Sequence, residues 1–197
     1  MEKTVKEYQE STDKGLVNFV QDIKSGALGN PSAQNYSFGR VSDRAAIDIG
    51  NLTGTDVTGY THNIKGNAVE HIENRHGKSG EHDHSMTDIN DLGRIGYILE
   101  NYDDVKLLYR RDGVIERSSE FRSSNGEFAP LIIYEKRVNG TYYAVEAVPD
   151  AKAKKLQVVS AYIRKAKKGE GQALNIAMKA PQVTSETPVA ASPDNQK

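Results

Sequence analysis

Apolar residues recur with helical spacing near the start of the chain. Val5, Tyr8, Leu16, Phe19, Val20 and Ile23 mark one stripe of an amphipathic helix predicted over 2–26, which the run "GALGNPS" ends. "YSFGRV" (36–41) predicts a short strand, and 43–51 a short helix. The following "LTGTDVTGYTHNIKGN" is strewn with Gly and Thr and predicts loop with a short extended piece. Residues 68–76 predict a helix with Asn67 as N-cap, Glu70 three residues on, and Gly77 as a left-handed stop. A further helix is predicted over 87–100, where Ile89, Leu92, Ile95, Ile98 and Leu99 keep helical spacing and Ser85 or Thr87 caps the start.

After residue 104 the period changes to two. Strands are predicted over 105–110, 131–137, 141–148 and 155–163, with a ragged one near 114–117. Asn139-Gly140 is a type I′ hairpin signal. Helices first and antiparallel strands after predict an α+β fold. Strict alternation in 155–163 places Leu156, Val158, Ser160 and Tyr162 on one face. From about 180 the chain is rich in Pro, Ser and Thr without apolar periodicity. The domain reading is therefore an N-terminal helix over 1–30, a main domain over 31–168 and a weakly structured to disordered tail over 169–197.

Composition narrows the chemistry. The 197 residues contain no Cys, so there is no disulfide framework, no thiol nucleophile and no Cys-built zinc site. No 18-residue apolar run and no signal-peptide core are seen, so no membrane partner is expected. The net charge of −1 is uninformative, but its distribution is not. Residues 1–100 carry 10 Lys and Arg against 15 Asp and Glu, whereas 101–168 carry 14 against 9. The basic second part favours an anionic partner.

The densest chemistry lies in "AVEHIENRHGK" (68–78). On a helix, His71 and Arg75 share a face, and Ile72 and His76 form the adjacent row. The two imidazoles stand about 140° apart around the axis, which suits two sides of a cleft rather than one chelated metal. Imidazole titrates near neutrality and suits proton transfer; Arg75 and Lys78 suit phosphate. Such a group can cleave RNA without a metal or other cofactor. One base takes the 2′-hydroxyl proton, an acid protonates the leaving 5′-oxygen, cations steady the phosphorus oxygens, and a 2′,3′-cyclic phosphate results. The competing account for His76 is plain helix-dipole stabilisation at a C-terminus. "EHDHS" (81–85) offers His82, Asp83 and His84 as metal ligands, but without a further ligand at a recognised spacing; a solvated loop is the expectation. Ser160 is a candidate phosphate partner and Tyr162 a candidate stacking or proton-donating group. Arg164, Lys165 and Tyr134 are candidate substrate contacts, each with a structural reading beside it.

"DVTGYTHNIKGNAVEHIENRHG" (56–77), "SMTDI" (85–89), "YEKRVNGTYYAVEAV" (134–148) and "KLQVVSAYIRK" (155–165) resemble a phage-associated nuclease family of the barnase, EndoU, colicin and RelE-like superfamily. Members occur as C-terminal toxin-like domains of phage MuF-type proteins or as small stand-alone proteins. The resemblance covers about residues 36–165 and is most specific in H-I-x-x-R-H-G and S-x-Y-x-x-K. It implies N-terminal helices packed on a roughly four-stranded antiparallel sheet. It implies metal-independent RNA cleavage, with His71, Arg75, His76, Ser160 and Tyr162 at the site. It also implies RNA such as tRNA as partner, an immunity or phage-structural protein as another, and a bacterial cytoplasmic or virion-associated location. Two rival expectations stand beside this one. One is a non-catalytic RNA- or protein-binding module. The other is a packaging or scaffold component docked through residues 2–26.

Overall fold

The computed structural model describes residues 2–165; the expected tail over 169–197 lies outside the described residues. The helix predicted over 2–26 is two helices, α1 (Glu2–Glu10) and α2 (Lys14–Ser25). Asp13 causes the break. It is extended, and its carboxylate accepts from the Gly15 and Leu16 N–H groups at 2.8 and 3.2 Å, starting a new helix. Tyr8, Leu16, Val20 and Ile23 from this pair enter the common core. Helices α1 and α2 therefore belong to the same compact unit as the rest of the described chain, up to Lys165.

There follow β1 (Asn35–Arg40), α3 (Asp43–Thr53), β2 (Thr61–Lys65), α4 (Gly66–His76), α5 (Ile89–Gly93) and α6 (Ile95–Asn101). The strands β3 (Asp104–Leu107), β4 (Arg117–Arg122), β5 (Phe128–Pro130), β6 (Ile132–Val138), β7 (Thr141–Asp150) and β8 (Lys155–Lys165) complete the described chain. The helix expected over 87–100 is interrupted at Arg94, and Asp88 rather than Ser85 or Thr87 caps its first half. Asn139 and Gly140 take φ values of 48° and 78°, as the predicted hairpin turn between β6 and β7 requires.

The architecture mixes helices and sheet, but the sheet differs from the four antiparallel strands expected. Six strands run in the order β1-β2-β8-β7-β6-β3, and β2 pairs parallel with β8. The short extended piece expected within "LTGTDVTGYTHNIKGN" is β2, "THNIK"; it has only Ile64 as an apolar residue, yet His62 and Asn63 are buried with it. Burial of polar side chains hides a strand from any hydrophobic pattern. All six helices contribute to the core on one face of this sheet, where Val69 and Ile72 of α4 meet Ile64, Val145, Leu156 and Val158. On the other face the β4–β5 pair lays Phe121 and Ala129 against Val148, with Leu131 and Val159 beside them. Among the described residues no helix is long and apolar enough to cross a membrane.

Two local features place the chemistry. First, β8 carries a bulge. Glu146 pairs with Ser160 and Ala147 with Val158, so Val159 is the extra residue. The predicted alternation therefore breaks. Leu156, Val158 and Ala161 all join the helix-side core, while Ser160 turns to the opposite face with Glu146. Second, β2 leaves the sheet at Gly66, after pairing only with residues 155–158 of β8. Helix α4 starts there and packs against β8. Gly66 allows this turn-off: a Cβ would stand 2.6 Å from both the Pro31 carbonyl oxygen and Ile23 Cδ1.

Candidate active site

Lys65 is the N-cap of helix α4 and makes no side-chain capping bond; Asn67 lies inside the helix instead. Its C-terminal end is closed by the loop that follows. The N–H groups of Glu81, His82, Asp83 and Met86 donate to the carbonyls of Asn74, Arg75, Arg75 and His76. These satisfy the orphan carbonyls of the last turn. Gly77 is accordingly extended, with φ −72° and ψ −174°, not left-handed. "EHDHS" is thus a loop that keeps Glu81, His82 and His84 exposed, as expected, while its backbone caps α4. Among the described residues no three His, Asp or Glu side chains converge as ligands for a metal.

This return brings Asp83 to His76. His76 is 5% exposed, and its Nδ1 lies 2.8 Å from Asp83 Oδ2. Asp83 Oδ1 accepts from the Ser85 N–H at 2.9 Å. Burial pushes the Asp83 carboxyl up, but the hydrogen bonds from Ser85 and His76 outweigh it and hold the group below the usual carboxylate range. A carboxylate on Nδ1 fixes that nitrogen as the proton carrier and leaves Nε2 for a substrate. The His76 ring also stacks at a tilt on Tyr162, centroids 5.3 Å apart, and meets His82 edge-on at 5.7 Å. The Ser85 hydroxyl accepts from the Ile163 N–H at 3.2 Å, tying this loop to the half of β8 that β2 leaves unpaired.

His71, Arg75, His76, Ser160, Tyr162 and Arg164 line one cleft of about 690 Å³ between α4 and β8. Five candidates fixed by the H-I-x-x-R-H-G and S-x-Y spacing thus meet, 84 residues apart in sequence between His76 and Ser160. His71 is exposed; local desolvation, then the Arg75 and His76 charges, keep its imidazole below the usual pKa of 6.5. It is neutral at physiological pH and can accept a proton. Arg164 donates to Glu135 Oε1 at 2.8 Å and lies 4.5 Å above the Tyr142 ring, so its guanidinium is braced from two sides. Lys106 donates to the other oxygen of Glu135 at 2.7 Å.

The residue that sequence reasoning missed is Glu146. It lines the cleft together with Tyr162, close enough for its carboxylate and the Tyr162 hydroxyl to influence each other. Burial raises its carboxyl above the usual range, against the lowering effect of Tyr162 and Arg75. The signal was present: "TYYAVEAV" holds one carboxylate in an otherwise apolar strand.

Three substrate-contact candidates sit elsewhere. Tyr134 is fully buried on the helix side of the sheet, its hydroxyl 2.9 Å from His62 Nε2, and so does not reach a substrate. Burial pulls His62 down to about 4, leaving it neutral as Tyr134's partner. Lys78 lines a separate groove between α2 and α4, among Glu70, Glu73 and Glu81, poor surroundings for a phosphate. Lys165 is exposed at the end of β8, opposite Thr141, and is not among the residues lining the cleft.

The mixed sheet thus carries a cleft lined by His, Arg and Glu side chains at its α4–β8 seam. Residues 39–170, 132 of the 197, match the family model described as "phage-Barnase-EndoU-ColicinE5/D-RelE like nuclease3". The chain belongs to this phage-associated, nuclease-like family. No curated protein and no solved structure matches it. The family span leaves out α1 and α2, although their side chains complete the core beneath α4.

Proposed function

We propose that the cleft is the active site of a toxin-like endoribonuclease that cleaves RNA by attack of the 2′-hydroxyl on the adjacent phosphorus. The observation that carries this reading is the convergence of His71, Arg75, His76 and Tyr162 on one cleft, with His76 tethered to Asp83.

His71, neutral and exposed, takes the 2′-hydroxyl proton. The 2′-oxygen bonds to phosphorus and the bond to the 5′-oxygen breaks. His76 gives that oxygen its Nε2 proton, and the Asp83 carboxylate steadies the imidazolium beforehand. Arg75 and the braced Arg164 compensate the charge on the phosphoryl oxygens. Ser160 and Tyr162 position the phosphate, with the Glu146 carboxylate beside the Tyr162 hydroxyl. The products are a 2′,3′-cyclic phosphate and a free 5′-hydroxyl. Every role is filled by a side chain, so cleavage proceeds in EDTA. The protein acts in a bacterial cytoplasm or from a phage particle, and an immunity or phage-structural protein would be its natural partner.

The test is incubation of purified protein with total tRNA in EDTA beside a His71→Ala/His76→Ala variant. Fragments ending in cyclic phosphate, absent with the variant, support the proposal. Salt-dependent RNA binding with no product selects a non-catalytic RNA-binding module instead.

A further inference from the structure

A second pocket of about 400 Å³ opens beside the cleft and shares His71, Glu146 and Ser160 with it. It lies within the size range of small-molecule sites. Its wall is apolar, formed by Phe121 from β4, Leu131 and the bulge residue Val159. Lys65, paired with Glu120 at 2.8 Å and 4.9 Å above the Phe121 ring, also lines it. Gln157 closes this pocket. It is 3% exposed, and its Oε1 has no hydrogen-bond partner, alone among the buried side-chain polar atoms of the described residues. The amide cannot be turned to cure this. Its Nε2 donates to Asp150 Oδ2 at 3.4 Å, and a carboxylate accepts but does not donate. Orphaned carbonyls of this kind are rare in folded proteins and call for a partner.

We propose that this pocket is a nucleobase subsite, taking a base that carries an exocyclic amine and fixing which nucleotide sits next to the scissile phosphate. The inference rests on reading the adjoining cleft as an RNA-cleaving site. The apolar wall covers the flat ring, and the amine donates to Gln157 Oε1. The remaining polar lining mixes the Glu120 and Glu146 carboxylates with donors from Lys65, Asn67, His71 and Ser160, so the choice of base falls to Gln157 Oε1. Adenine and cytosine present an amine to such a lining. Uracil has a carbonyl oxygen where cytosine has its amine, and two oxygens facing each other at Oε1 would repel.

The test is NMR titration of the full chain with adenosine, cytidine and uridine 3′-monophosphates, and with ribose 5-phosphate as the phosphate-only control. The Gln157 side-chain amide should shift with the first two, which should bind about 5- to 10-fold more tightly than uridine monophosphate. Gln157→Leu should remove that preference while leaving the melting temperature unchanged or higher, because it deletes an unpartnered carbonyl. Gln157→Met, of similar length, serves if the Leu variant does not fold. Equal binding of all three nucleotides, or a preference that survives Gln157→Leu, overturns the subsite; a trapped water would then explain Oε1. Base-selective binding without RNA cleavage would keep the subsite and reject the nuclease reading. Cleavage without base-selective binding would do the reverse.

Discussion

Asp83→Asn isolates the His76 tether. In the native chain Asp83 divides its oxygens: Oδ1 accepts from the Ser85 N–H and Oδ2 faces His76 Nδ1 at 2.8 Å. In the Asn variant the Ser85 N–H still demands an acceptor, so the carbonyl stays at Oδ1 and the amide NH2 takes the place of Oδ2. That NH2 donates to Nδ1 and drives the proton to Nε2, reversing the tautomer and removing the charge that supports an imidazolium. A misplaced general acid costs about 10²- to 10⁴-fold in rate. The stability cost is smaller. A hydrogen bond to a charged group is worth about 1.5–3 kcal/mol, and the 40% exposure of the Asp83 side chain argues for about 1 kcal/mol here. That is about 2–4 °C in melting temperature for a chain of this size. The pH dependence has a definite sign. The folded carboxyl is held below its unfolded value, so its stabilisation is present above the ordinary carboxylate range and lost as pH falls through the folded pKa. Melting curves of wild type and variant should therefore converge in acid. Single-turnover RNA cleavage and thermal melts from pH 3 to 8 measure both effects. Unchanged cleavage with a lowered melting temperature would refute the tether as catalytic and leave it as a loop clamp.

His71→Ala should lower cleavage at least about 100-fold while moving stability by no more than about 0.5 kcal/mol, because the side chain is exposed. In the wild type the acid limb of the rate profile should lie below pH 6.5, following the depressed imidazole. Glu146→Gln keeps an acceptor for Tyr162 and should cost less activity than His71→Ala. The raised Glu146 pKa makes the native carboxyl stabilising at acid pH, an advantage lost as pH rises through the folded value. The variant should thus melt no lower than wild type at pH 8; a clear fall there would mean that the Arg75–Glu146 attraction outweighs burial. Tyr134→Phe should cost about 1–3 kcal/mol by orphaning His62 Nε2, with RNA cleavage unchanged; lost cleavage at full stability would restore Tyr134 to the substrate.

Much of this geometry was legible where local rules govern. The i, i+4 spacing put His71 beside Arg75, the Asn139-Gly140 pair set the β6–β7 turn, and the α4 stripe of Val69 and Ile72 is buried as its period requires. What escaped depends on partners distant in sequence. Strand β2 carries its burial on His62 and Asn63, so its central place in the sheet, parallel to β8, appears only in the fold. The bulge at Val159 depends on β7 and reverses the face on which Ser160 sits. Tyr134 stood open between a substrate contact and a structural role because its partner, His62, lies 72 residues away. Asp83 was expected in a solvated loop, and its contact with His76 escaped because the chain's return onto the end of α4 is a backbone event, invisible to side-chain spacing. The pairing of Glu146 with Ser160 and the unpartnered Gln157 Oε1 likewise appear only once β7 and β8 are laid side by side.

The most direct test offers the protein matched RNA and DNA strands of one mixed sequence in EDTA. Attack by a 2′-hydroxyl through His71 and His76 predicts that RNA is cut to cyclic-phosphate ends, that DNA stays whole, and that His71→Ala/His76→Ala cuts neither. Equal cleavage of the DNA, or RNA cleavage that survives the double substitution, would contradict it.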